Sequence, residues 1–172
     1  MNKSVSNNHS KNRKVYEEAV NTLKKGVSIG NNPVINKYGK VQAPIPIYDL
    51  ENKIVSWFVG ITVRDRIVSF LQYDENINFI RYSEFLHKNE SLERCPKAFT
   101  WLKPAYIKKL ARTKVSPGYS LSTPFMTYDT NPSRIVWAVR ASDNHNHKKT
   151  IFVAGTFVYV NSEKNGRYSQ FE

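Results

Sequence analysis

Over Arg13–Lys25, the apolar residues Val15, Ala19 and Leu23 recur every fourth position, with Tyr16 and Val20 beside them. That spacing predicts an amphipathic helix with one apolar stripe. Lys24 and Lys25 fall in its last turn, where cations complement the carboxyl end of the helix dipole, and Gly26 is placed to cap it. Residues 1–12, rich in Asn, Ser and Lys, predict a mobile tail. Gly30, Pro33, Gly39, Pro44 and Pro46 mark residues 30–46 as a connecting loop. The period then changes. Ile45 and Ile47, Ile54–Thr62 and Ile67–Tyr73 are rich in β-branched and aromatic residues and are bounded by polar turns at Leu50–Lys53 and Arg64–Arg66. They predict an antiparallel meander, which Ile77–Tyr82 continues.

Ser83–Leu92 is polar and carries no clear period. Pro96–Thr113 reads as helix with a break at Pro104, because proline disrupts a helix interior. Phe99, Leu102, Tyr106 and Leu110 are expected on its apolar face. After a turn-rich stretch over 115–124, strands are predicted over Phe125–Tyr128, Arg134–Ala141 and Thr150–Val160, and residues 161–172 are expected to fray. The whole describes an α+β fold of two layers: a mainly antiparallel β-meander sheet with helices packed on one face, in a single domain over 13–160.

Two stretches share a pattern. Pro44–Asp49 leads to Lys53, Ile54, Val55 and Val59, and Pro124–Asp129 leads to Arg134, Ile135, Val136 and Val139. Each follows a predicted helix. The correspondence has two readings: an internal duplication with halves 13–82 and 96–160, or two ordinary hairpins with Asp-containing turns. The order of helix, proline, aromatic, Asp, short turn, basic residue and apolar strand resembles the PepSY-like family and the related propeptide-type domains that inhibit secreted peptidases. The resemblance rests on Pro46–Val59 and, more weakly, on Pro124–Val139. It implies a helix-plus-hairpin fold and an inhibitory role in an exported setting.

Charge changes the picture more than length does. The 172 residues are enough to bury a core without metal or disulfide staples. Their net charge of +12 is concentrated. Residues 1–40 hold 8 Lys and Arg against 2 acidic residues, and residues 96–114 hold 6 against none, while residues 41–95 are slightly acidic. Such clustering favours an anionic partner, or else it is a charged face that keeps the chain in solution. A lone cysteine, Cys95, points to a reducing compartment. With a polar N-terminus and no apolar run of membrane-spanning length, a cytoplasmic location is expected.

Candidate chemistry is sparse. His145 and His147 supply two metal ligands where a protein zinc site uses three or four, and a hairpin turn is the simpler reading. Cys95 with His87 or His145 would make a thiol–imidazole pair only if the fold joined them. Asp49 and Asp129 occupy equivalent positions and could pair as carboxylates or form turns. No phosphate-cradling glycine loop or nucleophile elbow occurs, and no catalytic, metal or cofactor residue is assigned. The strongest lead is KAFTWLKPAYIKKLARTK over Lys97–Lys114. Its cations Lys97, Lys103, Lys108, Lys109, Arg112 and Lys114 can neutralise an anionic surface, and Trp101 and Tyr106 are contact residues if exposed. The expected function is a non-enzymatic binding module for an acidic macromolecular partner, such as a protein bound by an inhibitor or immunity-type factor. The rivals are RNA or single-stranded DNA, whose phosphates and bases suit basic and aromatic residues, contact with an anionic membrane surface, and an enzyme using Cys95.

Overall fold

The computed structural model describes residues 3–25, 32–49, 51–87, 90–129 and 134–162. The described residues are mixed α and β, with four α-helices and many strands in mainly antiparallel pairing. The chain divides into two compact units, one of Met1–Ile47 and Asn52–Ala98, the other of Tyr48–Glu51 and Phe99–Glu172.

Unit 1 opens with α1 (Lys3–Lys25), which begins ten residues before Arg13, so positions 3–12 are helical where a tail is expected. Val15 and Ala19 are fully buried, as the four-residue spacing requires. The predicted cap Gly26 lies outside the described residues. The expected loop over 30–46 contains a second helix, α2 (Pro33–Tyr38), and a short strand, β1 (Lys40–Val41). The reason is local. Asn32 caps α2 by accepting from the Val34 N–H at 3.2 Å, and Pro33 stands in the first turn, where a missing N–H costs nothing. The Asn32 side chain also donates to the Leu86 carbonyl at 2.9 Å, and Ile35 is buried. Gly39 ends the helix at a close approach: a Cβ there would stand 2.5 Å from the Ile35 oxygen.

The meander follows as expected: β2 (Ile45–Tyr48), β3 (Ile54–Val63), β4 (Arg66–Asp74) and β5 (Phe79–Glu84), in that order across the sheet, with β1 pairing β3. Val55 is half-buried and Ser56–Val63 are all buried, so β3 is covered on both faces and reads as an unbroken apolar run. One face carries Trp57, Val59, Ile61 and Val63 into a cluster with Val15, Ala19 and Ile35. The other carries Phe58, stacked on Phe70 at 5.0 Å, and Phe70 meets Phe85 at 5.8 Å. Residues Leu92–Arg94 form a 3-10 turn, and Cys95 is buried in the same cluster as Trp57.

In unit 2 the predicted helix is two: α3 (Ala98–Leu102), whose first residue belongs to unit 1, and α4 (Pro104–Arg112). Pro104 starts the second, again at the first helical position, and Lys103 between them is extended. Then come β6 (Ser120–Leu121), β7 (Phe125–Tyr128), β8 (Ile135–Ser142), β9 (Lys148–Ala154) and β10 (Phe157–Ser162), with the order β7-β8-β9-β10 and β6 pairing β8. The single strand expected over Thr150–Val160 is therefore a hairpin. Its turn rests on Gly155 at φ 66, a left-handed conformation that glycine adopts without a Cβ penalty. Asn161 and Ser162, in the stretch expected to fray, still pair with Thr150 and Lys149.

Candidate cationic face of the second unit

Lys97–Lys114 is divided by the fold. Lys97 belongs to unit 1, where it forms an isolated antiparallel bridge with Arg66, flanked by backbone bonds from the Ile67 N–H to the Pro96 carbonyl and from the Ala98 N–H to the Asp65 carbonyl. The other seven candidates belong to unit 2. Trp101 is half-buried: its carbonyl accepts the Trp137 indole N–H at 2.7 Å, and its own indole nitrogen would lie 3.3 Å from a Cβ at Gly155. Tyr106 is also half-buried. Trp101 therefore helps to hold the unit together.

The cations of α4 are arranged differently. At about 100° per residue, the buried Ile107 and Ala111 share one stripe, Lys109 and Arg112 fall on the far side of the helix, and Lys108 flanks the stripe, all three exposed. The buried stripe is one position away from the expected Tyr106–Leu110 line, because the break at Lys103 resets the helical phase. The same break frees Phe99, which is 57% exposed rather than part of an apolar face. The Lys103 ammonium lies 4.4 Å from the Phe99 ring centroid, and Tyr106 meets that ring at 6.1 Å.

Lys108 and Arg112 are one turn apart, about 6 Å along the axis, which is shorter than the screening length of about 8–10 Å in physiological salt. Their fields therefore add. No Asp or Glu occurs between Glu93 and Asp129 to cancel them. Arg112 and Lys109 also sit in the last turn, where they complement the helix dipole. The Arg112 guanidinium donates to the Tyr119 carbonyl at 2.6 Å, and Lys149 lies 5.0 Å over the Tyr119 ring, so the end of α4 is tied to β9. Lys114 is exposed just beyond the helix.

No protein-family model, curated protein or solved structure matches the chain.

The other sequence candidates have structural partners. The Asp143 carboxylate accepts the His145 and His147 N–H groups at 2.9 Å and meets His147 Nδ1 at 2.8 Å, so the His-x-His pair belongs to the β8–β9 turn. These bonds, the His147 ring first, hold the Asp143 carboxyl below its usual range. Among the described residues no group of three potential metal ligands occurs. Burial pushes the Cys95 thiol up, away from the thiolate that nucleophilic chemistry needs. Asp49 accepts the Glu51 N–H in a turn, and Asp129 pairs with Arg134 at 2.6 Å and accepts the Tyr159 hydroxyl at 2.7 Å. No helix among the described residues is long and apolar enough to cross a membrane.

Proposed function

We propose that the chain is a non-enzymatic, cytoplasmic binding module that engages an acidic protein through the α4 face. The observation that carries this reading is the exposure of Lys108, Lys109 and Arg112 on the part of α4 turned away from the buried Ile107 and Ala111, in a stretch without a carboxylate. Lys103 and Lys114 extend the face at either end, Phe99 offers exposed apolar surface beside it, and Lys97 belongs to unit 1. Charge gathered in this way raises association rates with a partner of opposite sign. The resemblance to PepSY-like and propeptide-type domains supports an inhibitory role toward that partner.

Two finer features of the fold belong to the same proposal. We infer a two-layer arrangement with helices on one sheet face, supported in unit 2 by the Trp137–Trp101 hydrogen bond and in unit 1 by the packing of Trp57, Val59 and Ile61 against Val15 and Ala19. We also infer an internal duplication. Its support is the repeated order of helix, two-residue strand, four-residue strand and three longer strands, and the pairing of each two-residue strand with the strand two further on.

Affinity capture from the protein's own cells after nuclease treatment tests the partner class. The expected result is an acidic protein retained by the wild type and lost from the Lys108→Glu/Lys109→Glu variant. Equal retention by both would overturn the reading. The exposed Phe99 ring beside Lys103 favours RNA or single-stranded DNA as the second reading, since unpaired bases stack on such rings. For three to four phosphates, log affinity should then fall with log salt at a slope of roughly −2 to −3. A flat salt response would remove that alternative.

A further inference from the structure

Unit 2 has a second polar surface, on its sheet and separate from the α4 face. Strands β6, β8 and β9 lie side by side. Ser120 pairs with Ser142 and Ser142 with Lys148, while Leu121 pairs with Ala141 and Ala141 with Lys149. The Ser122 N–H donates to the Arg140 carbonyl at 2.8 Å, and Arg140 pairs with Thr150. Successive side chains on a strand point to opposite faces. Ser120, Ser142 and Lys148 therefore form one row, Ser122, Arg140 and Thr150 form the next, and both rows project from the same face. The row between them points the other way, where Ala141 is buried and Lys149 reaches Tyr119.

This face carries four hydroxyls and two cations and lines a recess of about 380 Å³. No carboxylate lines it. The nearest acidic residue in sequence, Asp143, is held by the turn amides and His147. The hydroxyls are positioned: Ser120 Oγ lies 3.0 Å from Ser142 Oγ, and Ser122 Oγ accepts the Arg140 N–H at 3.0 Å. The Arg140 guanidinium rests 5.0 Å over the Phe125 ring. Two positive charges repel a metal cation. The Ser120 and Ser122 hydroxyls donate to the Ser142 and Thr123 carbonyls, each at 3.0 Å, which leaves the guanidinium fork, the ammonium and the Thr150 hydroxyl to match the oxygens of a phosphate group.

We propose that this recess binds a phosphate group. The volume lies in the small-ligand range of about 300–1,000 Å³ and leaves room for part of the molecule that carries the phosphate. The site stands apart from the α4 face, so either can fail without the other.

The test is a titration of the full chain with inorganic phosphate at constant ionic strength, read by amide chemical shifts. The expected result is saturable shifts at Ser120, Ser142, Lys148 and Thr150, with affinity at least about tenfold weaker in Arg140→Gln/Lys148→Gln. Both side chains are exposed, so the variant should fold, and Lys108→Glu/Lys109→Glu should leave phosphate binding unchanged. Adenosine monophosphate and an oligothymidylate without terminal phosphates then separate the sources: saturation by the first assigns a monoester, by the second a diester. Shifts spread over all surface lysines, or equal binding by the Arg140→Gln/Lys148→Gln variant, would overturn the proposal.

Discussion

Units 1 and 2 build the same corner from opposite materials. In each, a two-residue strand pairs with the end of a long strand that pairs with the next. Unit 1 aligns Lys40, Thr62 and Ile67 in one rung and Gln42, Gly60 and Phe70 in another. Unit 2 aligns Ser120, Ser142 and Lys148, then Ser122, Arg140 and Thr150. Where unit 1 has Phe70 stacked on Phe58, unit 2 has Thr150 beside Ala138. Where unit 1 has buried Gly60, unit 2 has exposed Arg140. At the position of Phe70 the first corner has an aromatic ring and the second a threonine, and the second lines a charged recess. Similar local strand pairing thus carries buried side chains in one unit and exposed, charged ones in the other, and side-chain size and charge decide which.

The most severe way to break this comparison is to give unit 1 the cation of unit 2. Gly60→Arg places a guanidinium at a buried position without a carboxylate partner, and the expected loss is about 3–5 kcal/mol, measured by urea unfolding. The reciprocal Arg140→Gly change is on the surface and should cost no more than about 1 kcal/mol. Next in size come the turns. Gly155→Ala in unit 2 forces a side chain into a left-handed conformation and against Trp101, for an expected loss of about 1–2 kcal/mol. Arg64 already stands at φ 56 in the β3–β4 turn of unit 1, so Arg64→Gly should stabilise by up to about 1 kcal/mol. Equal effects of opposite sign in thermal unfolding would show that the two turns are governed by backbone strain alone. Asn32→Ala, which removes both the α2 cap and the bond to Leu86, should cost about 1–2 kcal/mol in the same measurement.

The smallest difference is electrostatic. Asp74 and Asp143 make the same turn in different hairpins, Asp74 with Asn78 and Asp143 with His147, and each carboxyl is held below its ordinary value chiefly by that side-chain hydrogen bond. A carboxyl with a lowered folded-state pKa stabilises the fold above its unfolded value near ~3.9. That stability is lost as pH falls through the folded value. Unfolding midpoints should therefore drop below about pH 4, and Asp74→Asn and Asp143→Asn should each flatten that limb. An unchanged acid limb in both variants would show that neither turn contributes.

The same side-chain logic separates what could be read early from what could not. Val15 and Ala19 marked α1 because a helix that packs on a core must repeat its apolar residues. The β3 and β4 runs marked strands because stretches rich in β-branched and aromatic residues suit a doubly covered sheet. The short strand β1 and helix α2 were hidden among Pro33 and Gly39, residues that punctuate a loop and a helix terminus equally well. In the basic stretch, Lys108, Lys109 and Arg112 were legible as a charged face, but Trp101 and Phe99 exchanged roles. The alternation Ser120-x-Ser122, Arg140-x-Ser142 and Lys148-x-Thr150 was a signal for an exposed polar face, yet three short dipeptide-spaced pairs gain meaning only when strands align them.

By itself, the order of residues determined the mixture of helix and antiparallel strand, the concentration of positive charge over 96–114 and the break at Pro104. These follow from local rules: hydrophobic period, proline geometry and charge along one segment. The tertiary structure alone decided which cations share a face, which aromatics are covered, and that Ser120, Arg140 and Lys148 meet, because strand register and helical phase bring together residues that sequence distance keeps apart.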